Sequence, residues 1–261
     1  MNLKDTPPLY RLGEIAKILR AENGCPWDRE QTLSSLKTYL IEEAYEVYDA
    51  IESGSMDDLK EELGDLLYQV YAQSEIASEN SHFTVDDVAE GISDKLIRRH
   101  PHVFGDENIS DARGVKVRWE KIKKEEKAEG RSILAGVPRH LPALVMAHRV
   151  QDKVSHVGFD WEKIDDAMGK LDEEVAELKE ALELQDKEKI SEEAGDILFS
   201  IVNVLRFKKI DAEDSLRRTI DKFMKRFSYI EKEAAGSGKN IDRMSLEELD
   251  MLWAESKRHT G

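Results

Sequence analysis

Three stretches of this 261-residue chain occur twice, in the same order. LIEEAYEVYDAI at Leu40–Ile51 returns as LDEEVAELKEAL at Leu171–Leu182, and EELGDLLYQV at Glu61–Val70 returns as EEAGDILFSI at Glu192–Ile201. Both pairs are offset by 131 residues. ISDKLIRRH at Ile92–His100 returns as TIDKFMKRF at Thr219–Phe227 with an offset of 127, so only a connecting loop differs. Any two acidic helices can produce one such match; three in order mean a duplicated unit. Whatever one copy builds, the chain must build again.

The repeats divide the chain into a first copy, residues 1–105, and a second copy, residues 136–261, expected to be the main working unit. Residues 106–135 between them are polar, charged and punctuated by glycine, and read as a linker carrying one helix. No strand-period alternation of useful length appears, and with 36% charged residues and only 6 Pro the composition is that of helix formers. The expected fold class is therefore all-α, two tandem copies of one helical unit.

A formal charge of −16 argues against nucleic acid or an anionic membrane as the main partner. The start, MNLKDTPPLYRLGEIAKILR, does not read as a signal peptide, and no apolar run approaches membrane-spanning length. The one cysteine, Cys25, excludes an intrachain disulfide and a cysteine-cluster zinc site, so a cytoplasmic location is expected.

Helical geometry, roughly 100° per residue, decides where the carboxylates of the repeats point. In the first copy Leu40, Ala44, Val47 and Ile51 form an apolar stripe, and Glu43 and Glu46 border one edge of it. On the next helix Leu59, Leu63, Leu66 and Val70 form the stripe and Glu62 and Asp65 the edge. The connecting SGSMDD is short and contains Gly54, so the two helices should pack as antiparallel neighbours. Glu43, Glu46, Glu62 and Asp65 then converge, and in the second copy Glu174, Glu177, Glu193 and Asp196 do the same. An isolated ExxE pair is ordinarily a solvated helix flank. Four converging carboxylates repel one another unless a cation neutralises them, and a hard divalent ion such as Mg2+ suits an all-oxygen set. Gly64 and Gly195 sit inside these helices, through either close approach of a facing helix or plain tolerance.

Magnesium held this way commonly binds polyphosphate, which also wants cationic side chains. Lys170 and Lys189 each lie four residues before a carboxylate of the second copy and point along the same edge. Lys222, Lys225 and Arg226 cluster on a third helix. The first copy keeps Lys95 and Arg99 at the matching positions of that third helix but has Tyr39 and Asp58 where the second has Lys170 and Lys189. Its phosphate grip should be weaker. GSGKN at Gly236–Asn240 lacks the remaining parts of a phosphate loop, His100 and His102 lack a third soft ligand, and Cys25 lacks a partnering base. Trp253 lies in an amphipathic tail helix, either as core or as a base-stacking surface.

EExxE followed by ExxD, doubled, with CPWD near the start and RRHPHVF closing the first copy, resembles the MazG nucleoside triphosphate pyrophosphohydrolases over nearly the whole chain. The resemblance implies an all-α fold in which two protomers complete four-helix bundles, hence a homodimer. It also implies Mg2+-dependent hydrolysis of NTPs and dNTPs to NMP and pyrophosphate. Carried over, its metal ligands are Glu174, Glu177, Glu193 and Asp196, with Glu43, Glu46, Glu62 and Asp65 matching them in the first copy. Its nucleotide contacts are Lys170, Glu174, Lys189, Glu192, Asp196, Lys222, Lys225, Arg226 and Trp253. Glu193 is expected to be essential, and Glu173 or Glu192 to take the proton of the attacking water. The rival readings are a narrower pyrophosphatase of related helical type, a nucleotide sensor and a non-enzymatic helical scaffold.

Overall fold

The computed structural model describes residues 3–126 and 132–259, and every regular element among them is helical. The chain divides into two compact units, Met1–Lys127 and Ala128–Gly261.

In the first unit, α1 (Pro8–Arg20) packs on α4 (Met56–Glu79), and α4 forms a hairpin with α3 (Leu36–Ser53). The hairpin turns in two residues. Gly54 closes α3 in the left-handed region at φ 73°, and the Ser55 hydroxyl caps α4 by accepting from the amide of Asp58 at 3.3 Å. The short helix α2 (Pro26–Glu30) follows α1, and α5 (Val85–Arg99) opens with a capping box between Thr84 and Asp87. After α5 come α6 (Pro101–Phe104) and α7 (Ala112–Glu125). A small core of Leu36, Ala72 and Ile76 lies between α3 and α4, with Tyr39 and Tyr68 packed against it. Arg20 ties the end of α1 to Glu79 of α4 through bonds of 2.6 and 2.7 Å.

The second unit repeats the plan. Here α8 (Ala143–Ser155) packs on α10 (Lys187–Phe207), which forms a hairpin with α9 (Ile164–Leu184). The turn has the same two parts, a left-handed residue and a cap. Gln185 stands at φ 55° and Asp186 accepts from the amides of Glu188 and Lys189 at 3.1 and 3.2 Å. The long α11 (Ala212–Gly236) starts from the cap of Asp211 and carries α12 (Leu246–His259) against it. Val202, Ala167, Ala181, Ile230 and Ala234 are buried.

Helix α7 lies in the segment 106–135 read as a linker, yet it groups with the first unit; residues 127–131 of that segment lie outside the described residues. The apolar stripes are also only half covered. Leu40, Val47, Leu59 and Leu66 are partly buried, whereas Ile51, Leu63 and Leu182 are about half exposed. Amphipathic period identifies an apolar face, and one hairpin covers only part of it.

Candidate active site

The hairpin register turns the repeat into a site. Glu43 on α3 and Glu62 and Asp65 on α4 bring oxygen atoms within 4.8 Å of one another, and Glu174 and Glu177 on α9 do so with Glu193 on α10. These are the only such acidic or metal-ligating groups of three among the described residues. Glu46 and Asp196, expected in the same clusters, stand outside the two triads and are exposed. The charge of Glu46 is nonetheless felt by both Glu43 and Glu62.

The second triad is the more enclosed. Glu174 and Glu193 are 5% and 7% exposed, whereas Glu43 and Glu62 are partly exposed and Asp65 is open. Burial first, then the negative charges of Glu177 and Glu174, push the carboxyl of Glu193 above its ordinary range. In the first triad burial raises Glu43, with Asp65 and Glu46 adding to it, and burial together with Glu46 raises Glu62. A carboxylate whose proton affinity is raised by burial and by neighbouring negative charge, as at Glu43, Glu62 and Glu193, marks a seat for positive charge. An all-carboxylate set of this span fits a hard divalent ion such as Mg2+.

In the second unit a side chain already supplies some of that charge. The Lys170 ammonium lies 2.7 Å from Glu174 and 3.0 Å from Glu173, which raises its pKa through those two hydrogen bonds. Lys189 makes no ion pair among the described residues, but its charge lowers the proton affinity of Glu193. Glu192 is exposed and makes no ion pair among the described residues, whereas Glu173, the other candidate base, is paired with a lysine. Lys222, Lys225 and Arg226 stand on α11 and make no ion pair among the described residues. Arg226 lies over the ring of Trp253 at 5.7 Å, and Trp253 also packs against Phe223 at 5.2 Å.

The residues 31–104 and 163–230 match the MazG nucleotide pyrophosphohydrolase domain, one match on each hairpin and its following helix. The chain belongs to the MazG family. It is 45% identical over 247 residues to a protein of Thermotoga maritima named nucleoside triphosphate pyrophosphohydrolase/pyrophosphatase MazG, covering 94% of each chain. It is 43% identical over 253 residues to the nucleoside triphosphate pyrophosphohydrolase of Escherichia coli, covering 95% of this chain and 96% of that one. An uncharacterized protein of Bacillus subtilis, YabN, is 48% identical over 245 residues, which is 93% of this chain and half of that one.

Both MazG matches stop short of the tryptophan helices α7 and α12. Two residues of the first unit escaped the reading from sequence. Gln69 is buried and its amide donates to Glu43 at 3.4 Å, at the edge of a cavity of about 210 Å3 bordered by Trp27, Tyr39 and Tyr68. Trp119 on α7 lies beneath Arg99 at 5.5 Å, just as Trp253 lies beneath Arg226. A search for the same Arg-then-Trp order after each repeat would have found it.

Proposed function

We propose that this chain hydrolyses nucleoside triphosphates, both NTPs and dNTPs, to the monophosphate and pyrophosphate in a Mg2+-dependent reaction. The observation that carries this reading is the triad Glu174, Glu177 and Glu193, two of whose carboxylates, Glu174 and Glu193, are buried, with Lys170 at its rim. The names of the Thermotoga and Escherichia relatives, similar along almost their whole length, point to the same activity.

Glu174, Glu177 and Glu193 would hold the metal, with Asp196 completing the set when substrate arrives. An ion held there would supply neutralisation of phosphate charge and acidification of a water. Lys170, Lys189, Lys222, Lys225 and Arg226 supply cations for the phosphates and for the charge that develops on the departing pyrophosphate. Trp253, its ring part exposed beside Arg226, offers a stacking surface for the base. Glu192 is the better placed acceptor for the water's proton, because Glu173 is engaged by Lys170. The second unit carries the main activity: the first has Tyr39 and Asp58 in place of the two lysines.

The working form is a homodimer. Leu198, Phe199, Leu216, Ile220 and Phe223 are exposed on α10 and α11, and a second copy would cover this apolar surface and complete the bundles. Pyrophosphate and orthophosphate release from a panel of NTPs and dNTPs, with Mg2+ and with EDTA, tests the activity. Mg2+-dependent pyrophosphate is the expected product. Orthophosphate alone, or no release, would leave a nucleotide-binding or scaffold role.

A further inference from the structure

The tryptophan helices extend the duplication past the segments that match by sequence. Trp253 follows Trp119 by 134 residues, and in each unit the residue three positions after the tryptophan is buried, Ile122 at 6% and Ser256 at 0%. Each tryptophan lies beneath the equivalent arginine of the preceding repeat. The registers of α7 and α12 therefore correspond.

The arginines themselves differ. Arg226 makes no ion pair among the described residues, and its Nε is buried without a hydrogen-bond partner. Arg99 is taken up by Glu126, whose Oε2 accepts from Arg99 Nε at 3.0 Å and also from Arg99 Nη2, while its Oε1 accepts from Arg98 Nε at 2.8 Å. One carboxylate thus bridges two neighbouring guanidiniums, which hold its pKa at about 2. In the shared register Glu126 corresponds to Thr260, a neutral residue that lies outside the described residues. Beside the bridge is a cavity of about 320 Å3 bordered by Arg98, Arg118, Pro101, Ile122 and Glu126, and Arg118 is in turn paired with Glu107 at 2.8 Å. The guanidiniums of Arg98 and Arg118 border this cavity, that of Arg99 shares Glu126 with Arg98, and carboxylates of the same unit pair with all three.

We propose that Arg98 and Arg99 form a second oligophosphate seat, in the first unit, which Glu126 occupies as an internal substitute for a phosphate group. The planar forks of two arginines suit phosphate oxygens as well as they suit a carboxylate. An oligophosphate entering the cavity takes the place of Glu126 and releases the end of α7. The inference rests on reading Arg226 as a phosphate contact in the second unit.

The test uses the full chain with K222Q and R226Q, which weaken the second unit's seat, and inorganic tripolyphosphate as the probe in calorimetry. Adding E126Q should tighten binding at least tenfold, and adding R98Q and R99Q to that variant should cancel the gain. Equal affinity with and without Glu126, or a gain that survives loss of both arginines, overturns the proposal. A second measurement leaves Glu126 in place. In the K222Q/R226Q chain, tripolyphosphate at a concentration that saturates the E126Q form should speed amide exchange in Ala112–Glu125; unchanged exchange overturns the proposal as well. Pyrophosphate release by the unmodified chain is scored separately, so failure of either reading is recognised without the other.

Discussion

Lys170 reaches across one helical turn to place its ammonium 2.7 Å from Glu174, a carboxylate only 5% exposed. No other lysine or arginine forms an ion pair with either triad among the described residues. On the proposed function the side chain would serve two states: it balances Glu174 in the metal-free chain, as its ion pair shows, and would face the phosphates once a metal is bound. Replacing Lys170 by Gln should lower the unfolding midpoint in EDTA, with Mg2+ restoring part of the loss, because Glu174 is left buried without a partner. Turnover should fall by about 100-fold, the usual scale for losing one group that stabilises developing charge. An unchanged midpoint in EDTA would remove Lys170 from the first of these roles.

Glu193→Gln should reduce pyrophosphate release by about 100-fold or more. Glu62→Gln, at the matching position of the first unit, should leave most of it. Steady-state rates of the two variants with saturating Mg2+ decide the matter. Comparable losses would make the units equal partners.

The stability of the metal-free chain should carry the mark of the same carboxylate. The pKa of Glu193 is raised in the folded state, so the folded chain binds more protons there than the unfolded one as pH passes through the raised range. Stability from this group is present at low pH and lost as pH rises. Glu193→Gln in EDTA should therefore melt higher than the wild type at pH 7, and the difference should shrink as the pH falls through the raised range. A melting series at several pH values checks this. Mg2+ should reverse the order at pH 7 if the triad holds it as proposed, because only the wild type retains all three carboxylates.

Gly64 and Gly195 supply a test of assembly. A Cβ built on either would meet nothing within 4 Å among the described residues, so no close approach among them accounts for these glycines. Gly64→Ala and Gly195→Ala should each stabilise an isolated protomer by about 1 kcal/mol, the ordinary helix-interior difference. If thermal unfolding instead shows a loss, accompanied by a fall in mass by light scattering, a second copy approaches the helix at that glycine.

The two triads were legible because their spacing lies within the repeat and the hairpin turns are only two residues long. Period and turn length together fix which side of each helix faces its neighbour. Glu46 and Asp196 show where that reasoning loses resolution, since a helical wheel gives a direction and a side chain also has length and rotamer. Placement of α7 with the first unit was not legible, because its tryptophan recurs at an offset of 134 while the preceding repeat has 127. The bridge from Glu126 to Arg98 and Arg99 spans 28 and 27 residues, a separation that no local periodicity encodes.

The replacement of Lys170 and Lys189 by Tyr39 and Asp58 has a practical consequence. Both triads sit on one polypeptide, so they share its concentration, buffer, temperature and preparation. The molecule carries its own matched comparison: transplanting the pair of lysines one position at a time, Tyr39→Lys and then Asp58→Lys, measures what each cation adds to a three-carboxylate cluster, with the other half of the same chain as the reference.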